Sequence, residues 1–237
     1  MNATLGRLFL LPVPIADGAW DTLPAQAIAL AKELRYLFVE NLRTSRRHLK
    51  GMHPDLVIDE RQFSEMDKHE GPDLKQLESW LKAGYDVGVL SEAGCPGVAD
   101  PGAELAAAAH KLGATVVPVA GPSSILLALM ASGMNGQRFA FQGYLPVKNP
   151  ERRKQIQLLE AQSKKEGMTQ IFIETPYRNN AMLDDLLQGC SGSTRICIAL
   201  GLTGEKAWVQ TRTVENWNKN ARPELPKEPA VFLFLAT

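Results

Sequence analysis

Short apolar runs alternate along the first half of this chain with segments whose apolar positions recur every three or four residues. The runs predict strands at 8–11, 36–39, 54–58, 87–90 and 115–119. The periodic segments predict helices. One spans 24–34, with Pro24 at its start and Ala25, Ile28, Ala29 and Ala31 as its apolar face. A short one spans 44–50 and is ended by Gly51; others span 73–83, closed by Gly84, and 104–112, closed by Gly113. Strand–helix alternation of this kind predicts an α/β fold with a parallel sheet.

Beyond residue 120 the texture changes. A helix is predicted at 125–131, a strand at 139–144 and a basic helix at about 150–165. A strand follows at 169–174, a helix at 177–187, and strands at 195–200 and 230–235. Trp208-Val209-Gln210-Thr211 reads as a hairpin arm, and the Pro-rich, charged stretch 219–229 as a loop. More strands per helix predict a mixed sheet, hence a second domain. The expected division is 1–118 for an amino-terminal parallel-sheet domain and 119–237 for a carboxyl-terminal mixed-sheet domain.

Two strand-to-helix junctions stand out. Leu90-Ser91-Glu92-Ala93-Gly94-Cys95-Pro96-Gly97-Val98-Ala99-Asp100-Pro101-Gly102 is long for a connection that typically runs about 2–6 residues. It lies at the carboxyl end of a strand, where open α/β sheets place ligands. Glycine lets the backbone approach a ligand and proline fixes the loop's shape. Ala120-Gly121-Pro122-Ser123-Ser124 leads into a helix, and one of its serines can cap that helix.

The 45% hydrophobic content over 237 residues suits a packed core, and the zero net charge argues against a protein that coats long nucleic acid. Three cysteines without metal spacing fit a reducing cytoplasm and offer no zinc site. The run 8–11 is too short for a signal-peptide core, and no run reaches membrane-spanning length. Walker, G-x-G-x-x-G, H-E-x-x-H and G-x-S-x-G patterns are absent. The four histidines, His48, His53, His69 and His110, read as surface residues.

Arg43, Arg46, Arg47 and Lys50 share one face if their segment is helical, a stripe that is either a solvated surface or suited to phosphate oxygens. Lys148, Arg152, Arg153 and Lys154 form a second basic cluster, which reads first as a solubilising stretch. Glu40 and Glu174 each end a strand. Each can orient a hydroxyl, act as a base, or pair with Arg43 or Arg178.

These pieces together resemble the tetrapyrrole methylase superfamily. Within it they are most similar to the branch that methylates a ribose 2′-hydroxyl of a cytidine in small-subunit ribosomal RNA. Leu11-Pro12-Val13-Pro14-Ile15 resembles the branch's V-P-T-P-I-G-N, and Val39-Glu40-Asn41-Leu42-Arg43-Thr44-Ser45-Arg46-Arg47 its A-E-D-T-R-x-T-R-x. Residues 91–102 resemble S-D-A-G-T-P-G-I-S-D-P-G, and 118–124 resemble P-L-P-G-P-S-A. Phe141-Gln142-Gly143-Tyr144-Leu145-Pro146 resembles F-x-G-F-L-P, and 174–178 resemble E-A-P-H-R. The likeness runs in order from about residue 7 to 180.

The resemblance implies a two-domain α/β methyltransferase, usually a homodimer, binding S-adenosylmethionine in a cleft between its domains and acting on RNA. The implied cofactor contacts are Pro14, Ala93, Gly94, Val98, Ser123, Ser124, Phe141, Leu145, Leu202 and Ala230. Candidate catalytic groups are Glu40, Glu92 and Glu174, and candidate substrate contacts are Arg43, Arg46, Arg47 and Arg178. The chain departs from the pattern at Ala16-Asp17 for G-N, Asn41-Leu42 for D-T, Glu92 and Cys95 for D and T, and Tyr177 for H. The branch's late R-E-L-T-K-x-H-E-E survives only as Ala199-Leu200-Gly201-Leu202-Thr203-Gly204-Glu205-Lys206. A small-molecule methyltransferase and a non-catalytic S-adenosylmethionine-binding protein are the alternatives.

Overall fold

The computed structural model describes residues 4–67, 70–220 and 223–237, so His69 and two residues of the 219–229 stretch lie outside the described residues. The chain divides into two compact units, Met1–Ser123 and Ser124–Thr237. In the first unit, strands β1 (Leu8–Leu10), β2 (Tyr36–Val39), β3 (Gln62–Glu65), β4 (Val87–Leu90) and β5 (Val116–Pro118) form one sheet in the order β3-β2-β4-β1-β5. All its pairs are parallel.

Successive side chains in these strands point to opposite faces, so each face carries its own core. Phe9, Leu37, Val39 and Leu90 pack against Ala27 and Ala31 of α1 (Ala25–Glu33) and Leu49 and Met52 of α2 (Leu42–Met52). Leu8, Phe38, Val87 and Val89 pack against Leu77 and Leu81 of α3 (Leu74–Lys82) and Leu105 and Ala109 of α4 (Ala103–Leu112). Each fully buried side chain of this size stabilises by about 1.5–3 kcal/mol.

Two expectations fail here. Residues 54–58 are not a strand; a turn and a 3₁₀ turn at Ile58–Glu60 precede β3. β3 lacks an apolar run because it is an edge strand, hydrogen-bonded only to β2. Gly51 does not end a helix: α2 runs through it and is capped by His53, whose backbone N–H donates to Leu49.

In the second unit, β6 (Phe139–Tyr144), β7 (Thr169–Glu174), β8 (Arg195–Leu200), β9 (Trp208–Thr213) and β10 (Ala230–Leu235) form a mixed sheet, ordered β6-β7-β10-β8-β9. Only β6 and β7 are parallel. α5 (Ser124–Ser132) covers one face, against Ile171, Cys197, Val231 and Leu233. α6 (Glu151–Glu166) and α7 (Asn179–Gly189) cover the other, against Phe172, Ile198, Phe232 and Phe234. The expected helix at 177–187 starts as a 3₁₀ turn, Pro176–Arg178, before α7. A further helix, α8 (Val214–Lys219), escapes the periodic pattern and buries Trp217, whose indole N–H donates to the Ile196 carbonyl at 3.2 Å.

The basic segment of α6 is not merely solubilising. Arg152 is buried and ion-paired with Asp185, which also accepts from Arg153 Nε at 2.7 Å and Asn149 Nδ2 at 2.8 Å. No helix of the described residues is long and apolar enough to cross a membrane.

Candidate functional site

In the first unit the crossover after β1 leads to β2 over one sheet face, and the crossover after β4 leads to β5 over the other, in the opposite direction. Neighbouring β1 and β4 thus form a topological switch point, the place where open α/β sheets bind ligands beyond the strands' carboxyl ends. The loops after β1 and β4 are tied together there. Val13 N–H donates to the Gly94 carbonyl at 2.9 Å, and Gly94 N–H returns a bond at 3.2 Å. Gly94 adopts φ +73°, a conformation that costs other residues about 1–2 kcal/mol. Both its backbone polar groups take part in the bridge, which ties the two loops together.

The loop after β5 joins the same cluster. Cys95 Sγ donates to the Pro122 carbonyl at 3.4 Å. Gly121 lies so close to the β1 loop that a Cβ there would stand 2.1 Å from Pro12 Cβ. Ala99, a residue with a side chain, is held at φ +62° beside Asp100.

Acids converge on this end of the sheet. Glu40, just past β2, accepts the Glu92 N–H at 3.0 Å. Glu92 Oε1 accepts the Thr44 hydroxyl at 3.3 Å, and its carbonyl accepts from His48 Nε2 at 3.0 Å. A carbonyl only accepts, so Nε2 carries the proton. His48 is buried, not a surface residue as the sequence suggested. Burial, opposed by its bond to Glu92, lowers its pKa and keeps the ring neutral at physiological pH. Burial, reinforced by the charge of Glu40 and then Glu92 and opposed by the Ser91 hydroxyl, pushes the Asp100 carboxyl up to about 6. Sequence reading noted Asp100 in the loop but did not count it among the titrating candidates. The signal was available: three acids at the ends of two strands that prove to be neighbours.

The stripe Arg43, Arg46, Arg47 and Lys50 lies on the exposed side of α2, opposite buried Ser45, His48, Leu49 and Met52. Arg47 pairs with Asp17 at 3.3 Å, Arg46 lies over the Phe63 ring at 5.7 Å, and Lys50 donates to the Pro54 carbonyl. Arg43 forms no ion pair among the described residues, so it does not pair with Glu40.

In the second unit Glu174 does pair with Arg178. The Glu174 side chain is fully buried, and its Oε1 accepts from Arg178 Nη2 at 2.7 Å and Nε at 2.9 Å, with the Thr175 N–H at 2.6 Å. The implied cofactor positions fall in both units. Pro14 and Gly94 are buried, Ala93 and Val98 exposed, and Ser123 and Ser124 half-buried. Phe141 and Leu202 are half-buried, whereas Leu145 and Ala230 are buried in the second unit's core.

The first-unit loops fit a cationic, partly apolar ligand such as S-adenosylmethionine. Glu40, Glu92 and Asp100 gather with no Lys or Arg paired to any of them among the described residues, beside half-buried Ile15 and exposed Val98. No group of three or more His, Cys, Asp or Glu side chains among the described residues is placed to hold a metal.

Comparison with known proteins gives the family. The sequence model of the tetrapyrrole (corrin/porphyrin) methylases matches residues 10–215. The chain belongs to this family. It is 32% identical over 198 residues to ribosomal RNA small subunit methyltransferase I of Pseudomonas aeruginosa, covering 84% of this chain and 67% of that protein. It is 31% identical over 203 residues to the protein of the same name from Escherichia coli O157:H7, covering 86% and 67%. As a tetrapyrrole methylase with such relatives, it is a methyltransferase. Its fold matches the methyltransferase CobJ (TM-score 0.63, 16% identity, covering 98% and 95%) and uroporphyrin-III-C-methyltransferase of Thermus thermophilus (TM-score 0.53, 16% identity, covering 97% and 94%).

Proposed function

We propose that this chain transfers a methyl group from S-adenosylmethionine to a ribose 2′-hydroxyl of ribosomal RNA. The observation that carries the reading is the loop cluster at the β1/β4 switch point, where three acids gather without a paired cation. The relatives named ribosomal RNA small subunit methyltransferase I support the substrate class. Pro14, Ala93, Gly94, Val98 and Ser123 in the first unit, and Ser124, Phe141, Leu145, Leu202 and Ala230 in the second, would hold the donor.

When bound, the donor supplies a methyl group on a positively charged sulfur. In-line transfer then depends mainly on positioning, which loops cross-tied by backbone bonds favour. A ribose hydroxyl is a poor nucleophile and must lose its proton. A carboxylate at Glu40, Glu92 or Asp100 can accept it, and Asp100, titrating near 6, is charged at neutral pH and the best matched of the three to that task. Glu174 is committed to Arg178 and so acts as a positioning group. Arg43, Arg46 and Arg47 on α2, with Arg178, would meet phosphates. A second copy of the chain as partner belongs to this reading through the resemblance, and a cytoplasmic setting through the three free cysteines.

The test is methyl transfer from tritium-labelled S-adenosylmethionine to small-subunit ribosomal RNA, offered free and as assembled subunits from cells lacking the gene. Label in a nucleotide whose 3′ linkage resists alkali is expected, because alkaline cleavage uses the free 2′-hydroxyl. Label only in a small-molecule extract would reassign the substrate. Label in neither, with donor still bound, would leave a binding protein.

A further inference from the structure

Two exposed tyrosines stand at the carboxyl ends of adjacent strands in the second unit. Tyr144 closes β6 and is 59% exposed; Tyr177 follows β7 in the 3₁₀ turn and is 72% exposed. Exposed tyrosines are common singly, but these two end neighbouring parallel strands and one is backed by a cation. Arg178 lies over the Tyr177 ring at 5.4 Å, and Tyr144 pairs in the sheet with Ile173, beside the start of the Tyr177 turn. The guanidinium is not mobile, because buried Glu174 grips it through two nitrogens. One face of Tyr177 is therefore backed by a fixed planar cation while the ring remains open to solvent.

We propose that Tyr177 and Tyr144 form a stacking platform for an unpaired base of the RNA substrate, an inference that rests on the RNA reading above. Single-stranded RNA is held by aromatic rings stacked on bases together with cations along the phosphates. A tyrosine whose neighbour is already fixed loses little further freedom on binding. The phosphate side is present too. The segment leaving Tyr144 runs through exposed Lys148 to exposed Lys154, and neither forms an ion pair among the described residues. The register puts the platform at the same sheet end as Ala230, which pairs with Glu174 and Leu200, and near Leu202 beyond them.

The experiment is fluorescence-anisotropy titration of the full chain with a labelled 12-nucleotide single-stranded RNA containing cytidine, at several salt concentrations. Calorimetry with S-adenosylmethionine and a thermal melt accompany each variant. Tyr177→Ala is expected to weaken RNA binding on the order of tenfold, with the salt slope, donor affinity and melting temperature unchanged. Tyr177→Phe keeps the ring and is expected to bind as the wild type does, and Lys148→Ala is expected to reduce the salt slope by about 1. Wild-type RNA affinity in both Tyr177→Ala and Tyr144→Ala overturns the platform and leaves the RNA reading standing. Loss of donor affinity or of stability in Tyr177→Ala also overturns it, because the ring would then serve the fold. No RNA binding by the wild type overturns the RNA reading and the platform with it.

Discussion

Asp100 shows how a single residue acquires its chemistry from its neighbours. Its carboxyl, pushed up to about 6 by burial and the Glu40 and Glu92 charges, sits above its ordinary value of 3.8 in the folded chain. A raised carboxyl makes the folded state less stable as it ionises, so stability is full below about pH 4 and declines until pH exceeds about 6. Asp100→Asn removes that cost. Its melting temperature should exceed the wild type's at pH 8, and the gain should shrink as pH falls towards 4. Asp185 has the opposite sign. Burial alone would raise it, but the bonds from Asn149, Arg153 and Arg152 together outweigh burial and hold it below its ordinary value. Its contribution is present above that ordinary value and is lost as pH falls through the lower, folded one. Asp185→Ala strands buried Arg152 and should cost about 3–5 kcal/mol in urea unfolding at pH 7. Gly94→Val forces a branched side chain into φ +73°, with a Cβ 3.4 Å from the Pro122 carbonyl and 3.9 Å from Ile15. Calorimetry should find S-adenosylmethionine binding abolished while circular dichroism still reports a folded chain. Sequence marked Gly94 by its glycine and its motif, but not the Val13 bridge that uses its polar groups, since hydrogen bonding across 81 positions leaves no local trace.

At the scale of elements, α2 joins the basic stripe to the acid cluster: it carries the arginines outward, and Thr44 and His48 inward to Glu92. Its strong amphipathic pattern made the helix legible, but not its length. Gly51 reads as a terminator by propensity, yet the helix continues through it, and the Trp20 ring fills the space a side chain there would need. A Cβ at 51 would stand 2.0 Å from Trp20 Cζ2. Intrinsic propensity favours Gly51→Ala by about 1 kcal/mol. Overpacking against the ring costs about 1–3 kcal/mol, so the variant should unfold at a lower urea concentration than the wild type. A gain would show that Trp20 yields. β3 and α8 were missed for a related reason: an edge strand and a six-residue helix need no long apolar repeat, since β2 supplies the hydrogen bonds of one and Trp217 anchors the other.

For the molecule as a whole, each unit has its own sheet and its own pair of cores. Residues 124–237 expressed alone should therefore give a cooperative thermal melt and a folded circular-dichroism spectrum. A spectrum without ordered structure would show that the second unit's cores do not suffice. The amino-acid sequence by itself determined the strand–helix alternation, the parallel and mixed halves, and the glycine- and proline-rich loops. These follow from residue periodicity and backbone permissiveness, which act over a few neighbouring positions. Only the tertiary structure decided which charges meet. Arg152 finds Asp185 33 positions away, His48 finds Glu92 44 positions away, and Asp100, pushed up to about 6 first by burial and then by Glu40, meets that charge because the sheet sets β4 beside β2. Strand order is fixed by how whole elements pack, so no window of sequence short enough to show periodicity contains both partners.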